Sequence, residues 1–180
     1  LTDNTLFFDT DCISAFLWIN DTSIITSLYK HRIAISKQVY NELSQGKGQA
    51  SVLKERIDIM IKQGDALLID MEVDSEEYSL YMELAINPPD GEPIIGKGEA
   101  SCIAFAKEYN GILASNNFKD TLKYIKKYGL KYTTTADIMV EAYSKKLITK
   151  EDAENMWQSM LAKRRRLGDV TFKHYLSTHQ

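Results

Sequence analysis

The chain has 180 residues, 44% hydrophobic and 26% charged, the balance of one folded domain with one core rather than of a disordered chain. Its 9 glycines and 3 prolines exclude a collagen-like or linker composition, and no apolar run approaches the roughly 20 residues needed to cross a bilayer. The net charge of -3 hides a split, because residues 161–180 carry five bases and one acid, leaving an acidic body with a basic end.

Thr5-Leu6-Phe7-Phe8 reads as a short buried strand ending in Asp9-Thr10-Asp11, and Cys12, Ile13, Phe16 and Leu17 then take helical spacing. A second helix is expected over 21–29 and a strand over 32–35. Ser36 then caps a helix carrying Val39, Tyr40 and Leu43 that Gly46 stops. Leu53, Ile57, Met60 and Ile61 mark an amphipathic helix ending at Gly64, followed by a strand at 66–69 and a helix opened by Asp74 or Ser75. All three prolines fall in 87–93, read as a surface loop. Gly98 to Ser101 leads a helix to about Tyr109, 111–115 is a strand, and Asn116-Asn117 begins a helix ending near Gly129. A strand at 131–133 is followed by a helix capped by Thr135 to about Lys146, then one capped by Thr149 through Arg165. Alternating strands and helices predict a three-layer α/β/α fold with a mainly parallel central sheet.

In such sheets ligands bind beyond the carboxyl ends of the strands. Asp9 follows the first strand, Glu42 and Glu99 lie on helices, and Asn116, Asn117 and Asp120 follow the 111–115 strand. Brought together they form an oxygen-rich set suited to hard cations such as Mg²⁺ or Mn²⁺. Each has a plainer role as well: Asp9 and Asp11 as helix caps, Glu42 and Glu99 as acids near helix N-termini, the asparagines as turn residues. Residues 91–98 match a phosphate-binding loop except that Gly98 stands where a Ser or Thr belongs, and they follow a Pro-Pro loop rather than a strand, so ATP binding is not expected. Cys12 and Cys102 read as buried thiols, and His31, His174 and His179 show no metal-ligand spacing. The chain start lacks a basic region followed by a long apolar stretch, so a cytoplasmic protein is expected.

Phe7-Phe8-Asp9-Thr10, Val39-Tyr40-Asn41-Glu42-Leu43, Gly96-Lys97-Gly98-Glu99-Ala100-Ser101 and Ile112 to Phe118, with Gly129 to Ile148 behind them, resemble the ordered motifs of PIN domains. The resemblance implies a PIN-like fold over residues 1–148, with 149–180 as a helical, basic extension of the same domain. It also implies a metal-dependent ribonuclease, toxins of toxin-antitoxin pairs being among such proteins. Carried onto this chain, it makes Asp9, Glu42 and Glu99 the first three acids; with Asn117 and Asp120 they are the expected catalytic set, and Asp9, Glu99, Asn117 and Asp120 are expected to hold Mg²⁺ or Mn²⁺. The chain departs at the fourth acidic position, where Asn116-Asn117 replace aspartate. At about 4 Å and an effective dielectric of about 20, a lost carboxylate forfeits roughly 4 kcal/mol of gross attraction per unit of cation charge. Asp120, three residues after Asn117, is the candidate replacement.

Lys119, Lys123, Lys126 and Lys127 share one helix face with Tyr124, Tyr128 and Tyr132 interleaved, and Arg164, Arg165 and Arg166 form a basic run. Lys119, Lys123 and the three arginines are expected to contact the RNA backbone. An antitoxin protein and a homodimer are expected partners, and a membrane is not. Two other readings stand beside the ribonuclease: a PIN-like module that binds RNA or protein with a weakened metal site, and a haloacid-dehalogenase-like phosphatase. The latter resembles Asp9-Thr10-Asp11 after a strand, although Cys12-Ile13 departs from its usual continuation.

Overall fold

Three or four apolar residues between a turn and a helix cap make each central strand. The computed structural model describes residues 1–178. In it β1 (Leu6–Phe8), β2 (Ile33–Ser36), β3 (Leu67–Ile69), β4 (Ile112–Ala114) and β5 (Lys131–Thr133) form one parallel sheet ordered β3-β2-β1-β4-β5. Parallel neighbours need crossovers. These are α1 (Thr10–Trp18) with α2 (Ser23–Leu28), α3 (Lys37–Ser44) with α4 (Ser51–Gln63), α5 (Glu76–Ala85) with α6 (Lys97–Glu108), and α7 (Phe118–Tyr128). After β5 come α8 (Thr135–Ser144), α9 (Lys150–Ala162) and α10 (Phe172–Thr178). The chain builds outward from β1 to β3 and then returns to the other side of β1. Right-handed crossovers in the two directions set helices on opposite faces, the three layers expected. No helix among the described residues is long and apolar enough to cross a membrane.

Burial follows the pattern of the sequence. Leu6, Phe7 and Phe8 are all buried, with Phe7 paired to Ala34 on one side and Leu113 on the other. The Phe7 ring stacks on Phe105 of α6 at 5.6 Å. Side-chain caps start the helices where expected: Ser36 accepts from the Val39 N–H and Ser75 from that of Tyr78, while Thr149 forms a reciprocal capping box with Asp152. Left-handed Gly64 and Gly129 end α4 and α7.

The last third departs from expectation. Thr134, not Thr135, caps α8 in a box with Asp137, because Thr135 is buried and holds Asn116; the helix stops at Ser144. α9 stops at Ala162 rather than Arg165, and Arg164 turns the chain at φ 58°. α10 was not expected, since seven residues are too few to show a clear period. It packs Phe172 and Tyr175 on the fully buried Trp157, at 5.7 and 5.4 Å between ring centroids. His174 lies exposed on α10 beside Asp169, and His179 lies outside the described residues.

Gly111 enters β4 where no side chain fits: a Cβ there would lie 2.3 Å from the Phe7 ring and 2.7 Å from the Thr5 carbonyl oxygen. Gly111→Ala is therefore expected to destabilise the fold by about 2–3 kcal/mol, read as a lowered urea midpoint at unchanged slope. A wild-type midpoint would mean that the β1–β4 edge is looser than described.

Candidate functional site

The strand order reverses at β1, so the crevice beyond the carboxyl ends of β1 and β4 is the natural place for a ligand. Asp9 closes β1 and is 1% exposed. Its N–H donates to the Ala114 carbonyl at 2.9 Å, locking it to β4, and its Oδ1 caps α1 by accepting the Cys12 N–H at 2.7 Å. Oδ2 is buried without a hydrogen-bond partner among the described residues. The two oxygens differ: one serves the helix and the other is buried unsatisfied at the end of β1. Burial pushes the Asp9 carboxyl up to about 7, against the pull of the nearby Ser115 hydroxyl and the Cys12 N–H, with Glu99 and Asp11 adding to the rise.

The other acids are already engaged. Glu42 on α3 accepts from the Thr10 hydroxyl through Oε2 and from the Gly98 N–H at 2.9 Å through Oε1. It pins the first turn of α6 to the start of α1. A Cβ at Gly98 would lie 2.7 Å from its Oε2, so glycine is what lets the carboxylate approach. Glu99 lies in that first turn. The Asn117 amide nitrogen donates to Glu99 Oε1 at 3.2 Å and to Asp120 Oδ2 at 2.8 Å.

The sequence reading expects the Asn117 oxygen to face a cation. Here the nitrogen faces two carboxylates and donates to both. Asp120 does join Asn117 and Glu99. Asn116 is structural, its amide donating to the Thr135 hydroxyl and accepting the Thr135 N–H, both at 2.9 Å.

The basic run reaches this edge from the far end of the chain. Arg165 donates to Asp11 Oδ1 and to the Ser14 hydroxyl, both at 3.1 Å. Asp11, expected as a cap, is instead the partner of an arginine. Asp11, Glu99, Asn117, Arg164, Arg165 and Arg166 line one small cavity of about 290 Å³. The cue available in the sequence was the charge excess at the chain end; which acid it would meet was not encoded locally.

The lysine face of α7 is less available than expected. Lys123 pairs with Glu92 of the proline-rich loop and Lys127 with Glu83 of α5 at 3.7 Å, so both turn away from Glu99 and Asp120. Tyr124 is buried and offers no face to a base. Lys119 is exposed in the first turn, next to Asp120. Cys12 and Cys102 are free and buried, and burial raises both thiols well above their ordinary range, which suits neither nucleophile nor ligand.

Among the described residues no three His, Cys, Asp or Glu side chains are grouped closely enough to hold a metal ion. The donor chemistry nevertheless fits a hard cation: the edge offers carboxylate oxygens, and the unpartnered Asp9 Oδ2 is the buried anion that a cation would satisfy. Asp9, Glu99 and Asp120 are the residues that could hold it. A family model described as a PIN domain matches residues 5–180. No curated protein and no solved structure matches the chain.

Asp9 gives the fold a pH dependence of known sign. Its folded pKa of about 7 lies above the ordinary 3.8, so between these values the folded state binds the extra proton and metal-free stability falls as pH rises. Asp9→Asn keeps a capping oxygen and removes the titration. Without metal the variant is expected to exceed wild type at pH 8 by up to roughly 4 kcal/mol and to match it near pH 4, as measured by urea unfolding. A variant no more stable at pH 8 would remove the case for a strained carboxylate.

Proposed function

The chain belongs to the PIN-domain family, and from that premise we propose that it is a ribonuclease hydrolysing phosphodiester bonds in RNA with Mg²⁺ or Mn²⁺. PIN domains have a nuclease-like fold and generally use divalent metals. The observation that carries the reading to this chain is the buried Asp9, with one oxygen unsatisfied, at the end of β1 beside a cavity that Asp11, Glu99, Asn117 and three arginines line, with Asp120 joined to it through the Asn117 amide.

When bound, a divalent ion supplies Lewis acidity for attack of water on phosphorus and for departure of the leaving oxygen. The chain's own groups do the rest. Asp9, Glu99 and Asp120 are the residues that would hold the ion. Glu42 fixes the N-terminus of α6, and with it Glu99, through the Gly98 N–H and the Thr10 hydroxyl. Asn117 balances Glu99 and Asp120 by donating to both. Arg165, oriented by Asp11 and Ser14, stands with Arg164, Arg166 and Lys119 to receive phosphate oxygens. A toxin's role belongs to the same proposal, with an antitoxin protein as partner; a small DNA-binding protein encoded beside the gene would support it.

One observation favours the second reading, a module that binds RNA or protein with weakened catalysis: Asn117 supplies an amide where the family's pattern has a carboxylate. The phosphatase reading loses its support, because the acid needed two residues after the nucleophile is Asp11, and Arg165 holds it.

Purified protein incubated with a mixed RNA pool separates the first two. Cleavage is expected with Mn²⁺, none with chelator, and a loss of at least about a hundredfold in Asp9→Asn. Cleavage surviving the chelator or the substitution would sink the metal mechanism, and none from wild type would leave the binding module. Asn117→Asp tests the amide separately. By calorimetric titration it is expected to bind Mn²⁺ at least about tenfold more tightly than wild type, because a carboxylate replaces a neutral donor. Unchanged affinity would place Asn117 outside the ion's reach.

A further inference from the structure

α7 turns three sides to its surroundings. Thr121, Tyr124 and Ile125 are buried against the core, and Lys123 and Lys127 pair with Glu92 and Glu83. The third side is open. Phe118 and Leu122, at i and i+4 on one helix face, are 39% and 40% exposed, and Tyr132 on β5 is 50% exposed. The Phe118 and Tyr132 rings meet edge to face at 5.6 Å, which joins helix and strand into one apolar strip. Since β5 is the last strand of the sheet, the strip lies along the sheet's edge. The other five phenylalanines are buried to 1% or less; core packing accounts for them and not for Phe118.

Cations border the strip. Lys119 and Lys126, three residues before Leu122 and four after it, are exposed and make no ion pair among the described residues. Lys131 on β5 donates to the Asn4 side chain at 2.8 Å and to the Asn110 carbonyl at 3.3 Å, neutral acceptors that leave its charge uncancelled. An exposed apolar row rimmed by one sign of charge has the composition of a docking surface.

We propose that this strip docks an amphipathic helical segment of a second protein, with leucine-like side chains along one face and carboxylates bordering them. Apolar residues at i and i+4 form a ridge against which the apolar row of a partner helix packs, and the three lysines select acidic flanks. A second copy of this chain fits less well, because a symmetric contact through this face would set its lysines against one another. RNA would find the lysines but no stacking platform, since the two rings stand at 89° to each other and Leu122 offers no hydrogen bond. The surface depends neither on the acid cavity nor on cleavage.

Synthetic probes test it, by anisotropy in chelator. A helical peptide with leucines at i, i+3, i+4 and i+7 and glutamates beside them is compared with a scrambled peptide of the same composition. A third peptide carries lysines in place of the glutamates. Wild type is expected to bind the first at least about tenfold more tightly than either of the others. Leu122→Asp and Tyr132→Ala are each expected to weaken that binding about tenfold while leaving the urea midpoint near wild type, because both side chains are already exposed. Lys126→Glu should weaken the acidic peptide and strengthen the basic one. Equal binding of the scrambled peptide, full binding by Leu122→Asp, or no reversal in Lys126→Glu would each overturn the proposal. So would a wild-type dimer that Leu122→Asp makes monomeric in sedimentation, which would give the strip to a second copy. Loss of a short RNA rather than of the peptide in Leu122→Asp would give it to nucleic acid and overturn the proposal equally.

Discussion

Asp9 is held out of water by the central strand and by the helix it starts, with Oδ1 on the Cys12 N–H and Oδ2 on no partner among the described residues. Its position follows from the sheet, since β1 is the strand at which the order reverses and its end is tied to β4 through the Ala114 carbonyl. A carboxylate there cannot be hydrated. Its charge must be met by a proton or by a cation, and Glu99 and Asp11 nearby make the deprotonated state harder to hold. The carboxyl edge of the sheet is organised around that demand.

The remaining acids meet it in different ways. Glu42 takes a backbone N–H and a hydroxyl, Glu99 and Asp120 share the Asn117 amide, and Asp11 takes Arg165. Three of these four answers use neutral donors, which satisfy hydrogen bonds without cancelling charge. The Arg165–Asp11 pair does cancel charge, but its side chains are 23% and 31% exposed, so screening and desolvation offset most of its attraction. Among these acids Asp9 is the one with a buried oxygen that no hydrogen bond satisfies among the described residues.

Local chemistry was legible in the sequence and long-range partnership was not. Ser36, Ser75, Thr149, Gly64 and Gly129 act through neighbours three or four residues away, so the residue type at that spacing already states the role. Alternating strands and helices announced a parallel sheet, and with it the ends of β1 and β4 as the place for Asp9 and Asn117. Helical spacing placed four lysines on one face of α7 but carried no information about Glu83 and Glu92 opposite. In the same way an asparagine's spacing says nothing about which amide atom faces inward; the two carboxylates flanking Asn117 decide that. Thr135 looked like a cap because its neighbour Thr134 is equally able to be one, and burial against Asn116 broke the tie.

The early stop of α9 ties these strands together. Had the helix continued through Arg165, its last bases would have lain along the helix axis. Instead the chain leaves the helix at Ala162, Arg164 takes a left-handed conformation, and Arg164, Arg165 and Arg166 come to line the cavity that Glu99 and Asn117 share. That turn is anchored on one side by Arg165 on Asp11 and on the other by Trp157 packed against Phe172 and Tyr175. A polyanion approaching the cavity that Asp11 and Glu99 line meets repulsion at short range. The lysines that pair with Glu83 and Glu92 are turned away and give it little relief. The basic end of an otherwise acidic chain supplies the missing attraction at the one place where the acids gather, so a net charge of -3 is compatible with an anionic substrate.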